Sequence, residues 1–329
     1  MKPVAGTRQE AQVEDSERKV VVVGQVARDL VLSIDDLPEE GGSATVRERR
    51  EMLGGKGANQ GVACRQLGAR VELVGVVGDD AAGREVLEQA VDDGIGVAGV
   101  VRRAGARTAL LLDLVGPPGV RRLVEDVDDQ VLLRPDDVEG CRESLRSADA
   151  VLVQLQQPGP AVAAALDACA EDALVVADGA PADEDTRRRV LSRADVVRAD
   201  SAEIQALVGW KPDGEQDVVR AAQELLSQGP RVVALSVSGG GDVIAWPDGH
   251  VVMPLLGEEP VDPTGGGDSF VAALTMALLA GETPELAAWW AAVAAADVVR
   301  RPGGRPELDA DRLRTEARRA YEEAAATTG

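Results

Sequence analysis

Short, uninterrupted apolar runs recur along the chain, beginning with KVVVVG at Lys19 to Gly24. A run without polar alternation reads as a strand buried on both faces, the habit of parallel sheets. The same style returns at Val71 to Val77, Ala150 to Leu155, Leu174 to Asp178, Asp195 to Arg198 and Arg231 to Val237. Between most of these lie helical stretches, among them Ala58 to Leu67, Gly83 to Asp93, Ala161 to Ala170 and Gln216 to Gln228. Strands alternating with helices require crossover connections, so the expected fold class is α/β, a doubly wound sheet covered on both faces.

Two segments break the rhythm. Asp29 to Met52 and Arg107 to Val127 carry alternating or β-branched patches, interrupted by turn signals at Leu37 to Gly42 and Gly116 to Gly119. Hairpins of this kind have no place in a parallel sheet. They are expected as a small antiparallel lid, or else as peripheral decoration. Residues 1–18 are polar and charged with no apolar centre, so a disordered leader is expected before a main domain over 19–310. A helical tail over 311–329 follows. No run approaches the roughly 18 apolar residues that span a bilayer.

Composition narrows the function. The 329 residues carry 35 Lys+Arg against 57 Asp+Glu, a net charge of -22. Such a field repels phosphate polymers and acidic lipid surfaces, so neither nucleic acid nor membrane is an expected partner. Aromatics make up only 2%, which leaves almost no platform for stacking single-stranded bases. The sole histidine, His250, lies in a Pro-Asp-Gly-His stretch that reads as a hairpin turn, which argues against His-dependent catalysis and His-rich metal centres. Cys64, Cys141 and Cys169 are far apart without metal-ligand spacing, and are expected as reduced thiols in a cytoplasmic protein.

Two glycine-rich constellations carry the chemistry. In Gly54-Gly55-Lys56-Gly57-Ala58-Asn59-Gln60-Gly61, Gln60 occupies the third glycine of a GxGxxG, and Gly57 follows Lys56 where a P-loop needs Ser or Thr. Both standard nucleotide-loop readings fail. What remains is a glycine pair allowing close backbone approach, then a lysine and an asparagine with donors for hydroxyls or an anion. Lys56 is one of four lysines in an arginine-rich chain, so a compact point charge there has a chemical reason, or is a solvated residue at a helix entry. In Asp262-Pro263-Thr264-Gly265-Gly266-Gly267-Asp268-Ser269-Phe270, three glycines enter an apolar helix over Val271 to Leu279. Their N–H groups and the helix dipole make an anion hole. Asp268 at its mouth reads as a general base, or as a helix N-cap.

GGKGANQGVACRQLGA at Gly54 to Ala69 and DPTGGGDSF at Asp262 to Phe270 resemble the two signatures of the ribokinase-like (pfkB) carbohydrate kinases. VGDDAAG at Val77 to Gly83, QLQQP at Gln154 to Pro158 and DSAE at Asp200 to Glu203 extend the resemblance over about Lys19 to Glu307. It implies a three-layer α/β/α fold, a mainly parallel central sheet with a small β-sheet lid, and transfer of the ATP γ-phosphate to a hydroxymethyl group. By the same resemblance Asp268 is the base, and Gly265, Gly266 and Gly267 stabilise the transferring phosphoryl. Asp29, Gly55, Lys56, Asn59 and Gln156 fall at sugar-binding positions. Asp200 and Glu203 match the Asn-x-x-Glu motif that organises Mg²⁺ through water. Ser236, Ser238 and Gly241 fall at the nucleotide-binding strand end, with adenine expected near Ala291 to Gly304, and Asp262 and Thr264 match positions at a K⁺ site. Ribokinases pair through their lids, which implies a homodimer.

The sequence departs from ribokinases at a few of these positions. Ala27 stands for an asparagine, Gln156 for a glutamate, Asp200 for the asparagine of Asn-x-x-Glu, and Ser238 for a glycine. Arg28, beside Asp29, suits a phosphorylated or carboxylated substrate. Two alternatives to a sugar kinase stay open: a nucleoside kinase of the same fold, and a catalytically weak metabolite-binding relative.

Overall fold

The computed structural model describes residues 17–116, 121–257 and 260–328. Most of the expected leader and the turn at 117–119 lie outside these residues. In chain order the strands are β1 (Lys19–Val23), β2 (Ala27–Ile34), β3 (Val46–Gly54), β4 (Arg70–Gly78), β5 (Gly96–Arg103), β6 (Leu110–Val115), β7 (Arg121–Asp126), β8 (Ala150–Gln154), β9 (Leu174–Asp178), β10 (Val196–Ala199), β11 (Val232–Val237), β12 (Gly241–Trp246) and β13 (Gly249–Met253).

Nine of these make one sheet in the order β13-β12-β11-β10-β9-β8-β1-β4-β5, parallel throughout except at β12 and β13. The period-2 rule is visible in β1, where every residue is buried. Val20 and Val22 join a core that includes the helices Lys56–Gln66, Gly266–Leu279 and Pro284–Val298. Val21 and Val23 join the opposite core, with Gly159–Ala168, Glu184–Arg193 and Glu215–Leu226. This is the expected three-layer arrangement. The C-terminal helix, Ala310–Thr328, attaches to the first core through Leu313 and Ala317. His250 is the second residue of β13, just past a two-residue turn closed by the Trp246–Gly249 pair, as its hairpin signal predicts.

The irregular segments form a separate sheet in the order β3-β2-β6-β7. It is mixed rather than antiparallel, because β2 and β6 run parallel while the outer pairs are antiparallel. The reason lies in the main sheet. Strands β1 and β5 point the same way there, and each passes through a short link into its lid continuation, β2 or β6. The two continuations therefore leave the sheet side by side, over the carboxyl ends of the parallel strands, where ligands of open α/β sheets bind.

Candidate active site

The first glycine constellation seats one part of the chain against another. A Cβ on Gly54 would overlap the Asp29 carboxylate, one on Gly55 would stand 2.9 Å from the Gln25 carbonyl oxygen, and one on Gly57 2.8 Å from the Gly24 backbone. Gly55 also adopts φ 83°, a region that suits glycine. The helix that follows carries Lys56, Asn59 and Gln60 on its first turns. The second constellation turns at Gly265, φ 72°, where any side chain would collide with Gly304. The helix begins at Gly266, five residues before the predicted apolar stretch, so Asp268 lies inside the first turn and is not the N-cap. Its carboxylate is free for other work.

Asp268 is 7% exposed. Asn59 Nδ2 donates to its Oδ2 at 3.4 Å and Gln60 Nε2 to its Oδ1 at 3.3 Å. The same Gln60 amide donates to Asp178 at the end of β9, at 2.8 Å. Arg198, next to last in β10, donates from Nη1 to Asp178 at 3.2 Å. Lys56 Nζ stands 3.5 Å from Glu203 Oε1, while Glu203 Oε2 accepts from the Asp200 backbone at 2.9 Å. Asp262 accepts from the backbones of Thr264, 2.9 Å, and Gly303, 2.8 Å, fixing the loop that carries the glycines.

A cavity of about 500 Å³ opens under the lid. Every residue expected at the sugar lines it: Asp29, Gly55, Lys56, Asn59, Gln156 and Asp268, joined by Gly265, Gly267, Thr264 and Asp200. The lid adds Leu111, Asp113, Arg121, Leu123 and Glu125, none of which the sequence singled out. Arg121 grips Asp113 through two hydrogen bonds, 2.6 and 2.9 Å, and its Nε lies 3.6 Å from Asp262. Arg28 is instead paired with Glu51 and is not among the lining residues.

A second cavity of about 550 Å³ adjoins it, sharing Arg198, Pro263 and Gly267. Ser236, Asp242 and Gly266 line its polar end; Leu256, Phe270, Ala292, Ala295, Ala296 and Val299 line an apolar slot, where the adenine was expected. Ser238 stays in the turn beyond β11 and Gly241 opens β12, and neither lines it. Gly241 serves the β12 hairpin, where any side chain would meet Met253. A larger cavity of about 610 Å³ lies at the opposite, amino-terminal ends of β9, β10 and β11, away from both constellations.

Burial shapes the charges. It pushes Asp268 up to about 6, with repulsion from Asp178 adding and Lys56, Arg198 and the Gln60 bond opposing. Asp29 is pushed up to about 7 by burial and by Asp113, against a hydrogen bond from the Gly55 backbone. Burial disfavours the Lys56 ammonium, but attraction to Asp178, Glu203 and Asp268 outweighs it and raises its pKa. Among the described residues, four buried polar atoms lining the cavities or next to them in the chain have no partner: Asp29 Oδ1, Asn59 Oδ1, Gln60 Oε1 and Arg198 Nε. Unsatisfied atoms at such density mark places that a polar ligand completes. Three of the four are acceptors, which suits hydroxyl groups. Among the described residues no group of three or more His, Cys, Asp or Glu forms a ready metal cage. The lone carboxylates Asp200 and Glu203 instead suit a hydrated cation carried in with phosphates.

The model for the pfkB family of carbohydrate kinases matches residues 17–311. The chain belongs to that family. As a ribokinase-like carbohydrate kinase it is an ATP-dependent sugar phosphotransferase. It is 30% identical over 297 residues to an ATP-dependent ribose-1-phosphate kinase of Halopiger xanaduensis, covering 89% of this chain and 96% of that protein. It is 26% identical over 263 residues to a bifunctional ribokinase/ribose-5-phosphate isomerase A of Fructilactobacillus sanfranciscensis, 79% of this chain. The chain spans about half, 48%, of the length of that relative. Ribokinase of Arabidopsis thaliana, solved with ribose and ATP, superposes with a TM-score of 0.73 at 21% identity, covering 93% of this chain and 99% of that one. That likeness bears on the fold.

Proposed function

We propose that the chain transfers the γ-phosphoryl of ATP to a hydroxymethyl group of a free sugar or sugar-like polyol, with Asp268 as general base. One observation carries this reading. The buried Asp268 carboxylate, pushed up to about 6, stands beside the Gly267 backbone shared by two adjoining cavities, one polar and one with an apolar slot. A base of that pKa is mostly ionised at neutral pH yet basic enough to take a proton.

In this reading the sugar lies under the lid, its hydroxyls donating to Asp29 Oδ1 and Asn59 Oδ1, which have no other partner. Lys56 and the glycine N–H groups hold the acceptor and the phosphoryl in line. The sugar oxygen forms its bond to Pγ as the Pγ–O bond to ADP breaks, and the hydroxyl proton passes to Asp268. Gly265, Gly266 and Gly267 face the oxygens on which charge develops. Adenine occupies the slot between Leu256, Phe270 and Val299, with Ser236 at its polar end. Mg²⁺, when bound, neutralises triphosphate charge; Asp200 and Glu203 would hold its water shell. Asp262 and Thr264 would hold K⁺.

Two further features belong to this reading. The lid exposes Val46 and Val124 on its outer strands β3 and β7, which favours a homodimer closed through the lids. Three unpaired thiols favour the reducing cytoplasm. A second reading of the substrate, a sugar phosphate, is favoured by Arg121, a guanidinium lining the acceptor cavity. The test is ATP consumption with Mg²⁺, with and without K⁺, against pentoses, hexoses, their phosphates and nucleosides. Turnover of free sugars supports the first reading, and turnover confined to phosphates the second. Turnover of nucleosides alone overturns both.

A further inference from the structure

Arg198 stands where the two cavities meet, and neither glycine-rich motif contains it. Its guanidinium lies flat against the triglycine turn: a Cβ on Gly267 would come within 2.7 Å of Nη2, 3.1 Å of Cζ and 3.2 Å of Nη1. It lines both cavities, and its side chain is 11% exposed. Of its five N–H donors, one is used, from Nη1 to Asp178 at 3.2 Å. Nε is buried with no hydrogen-bond partner among the described residues. A buried guanidinium with an orphaned donor is expensive to keep unless something completes it.

The surrounding charges say what would complete it. Asp178, Asp242 and Glu203 hold Arg198 cationic despite its burial. Asp242 lines the second cavity beside it, and Arg198 lines both, so the guanidinium stands at the junction of the acceptor and nucleotide spaces. A planar fork of N–H groups matches phosphate oxygens in geometry and in sign. The turn beyond β11 offers no cation, since SVSGGGD holds none. Resting on the phosphotransfer reading above, we infer that Arg198 is a catalytic residue, its guanidinium binding the ATP phosphates and following the γ-phosphoryl as it crosses past Gly267. It supplies from β10 a charge of the kind that an arginine finger supplies elsewhere.

Affinities for ATP, ADP and adenosine, and kcat with the sugar found in the panel, test this on wild type, Arg198→Met and Arg198→Lys. The wild type is expected to bind ATP far more tightly than adenosine. In Arg198→Met, ATP affinity falls tenfold or more, adenosine affinity stays within twofold, and kcat drops roughly 10²- to 10³-fold. Added guanidinium ion restores part of that kcat, which a merely structural role would not allow. Arg198→Lys keeps the charge beside Asp178 but lacks the fork, and loses at least tenfold in kcat with adenosine affinity unchanged. That variant decides the matter if the methionine variant does not fold. ATP affinity and kcat within twofold of wild type in either folded variant overturn the proposal. A wild type that binds neither ATP nor adenosine overturns the phosphotransfer reading itself, which is a different outcome.

Discussion

The Asn59 amide donates to the Asp268 carboxylate at 3.4 Å, joining side chains 209 positions apart in the sequence. Through this bond and its neighbour from Gln60, the first glycine constellation holds the proposed base of the second. The helix Lys56–Gln66 lies against Gly266–Leu279 so that both helix starts open on one point. Neither motif is a complete site alone.

Gln60 tunes the Asp268 carboxylate as well as placing it. Its hydrogen bond favours the charged form of Asp268, so removing it raises the carboxylate pKa further. In Gln60→Leu, the acid limb of the kcat/KM profile, expected near pH 6 in the wild type, moves to higher pH. At pH 7 the rate falls about twofold, with almost no loss at pH 8.5. Rates across pH 5 to 9 check this; an unmoved limb would assign Gln60 a purely structural role.

Asp29 trades stability for binding. Its folded pKa, about 7, lies above the ordinary 3.8, so the folded state holds the proton more tightly than the unfolded chain does. Its contribution is therefore fully present below about pH 4 and is lost as pH rises toward 7. At pH 7.5 the charged group costs on the order of a few kcal/mol. Asp29→Asn is expected to raise the melting temperature at pH 7.5, to leave it nearly unchanged at pH 4.5, and to raise the sugar KM at least tenfold. Thermal melts at the two pH values check the sign.

The lid pair behaves as a unit. Asp113 is buried, and its partner Arg121 also approaches Asp262. Arg121→Leu leaves that carboxylate uncompensated beside two others, Asp29 and Asp262, and should cost about 3 kcal/mol, while Asp113→Leu with Arg121→Leu together should recover most of it. A double-mutant cycle of denaturant melts measures the coupling, and additive losses would contradict it.

Much of this was legible in the chain because the relevant signals are local. Six apolar runs mark buried strands of the main sheet, and the glycine strings mark tight backbone turns. The lid hairpins show as alternation, but their parallel junction, β2 against β6, depends on the directions of β1 and β5 and has no local signature. Strand β5, GVAGVVRR, escaped because only glycine and partial burial distinguish it. Asp178 and Arg198 escaped for another reason. Each is an ordinary charged residue at the end of an apolar run, and its role arises only when β9 and β10 lie side by side. A polar residue closing a buried parallel strand was the signal available. Asp113 and Arg121 read as ordinary strand polarity, since their inward direction depends on what the lid covers.

The most direct measurement is Asp268→Asn, assayed for turnover and, by calorimetry, for binding of ATP and of the sugar. The change is nearly isosteric and removes a buried charge, so the fold and both affinities should hold within a few-fold while kcat falls by roughly 10² to 10⁴. Turnover within tenfold of wild type, with intact binding, would contradict Asp268 as the base.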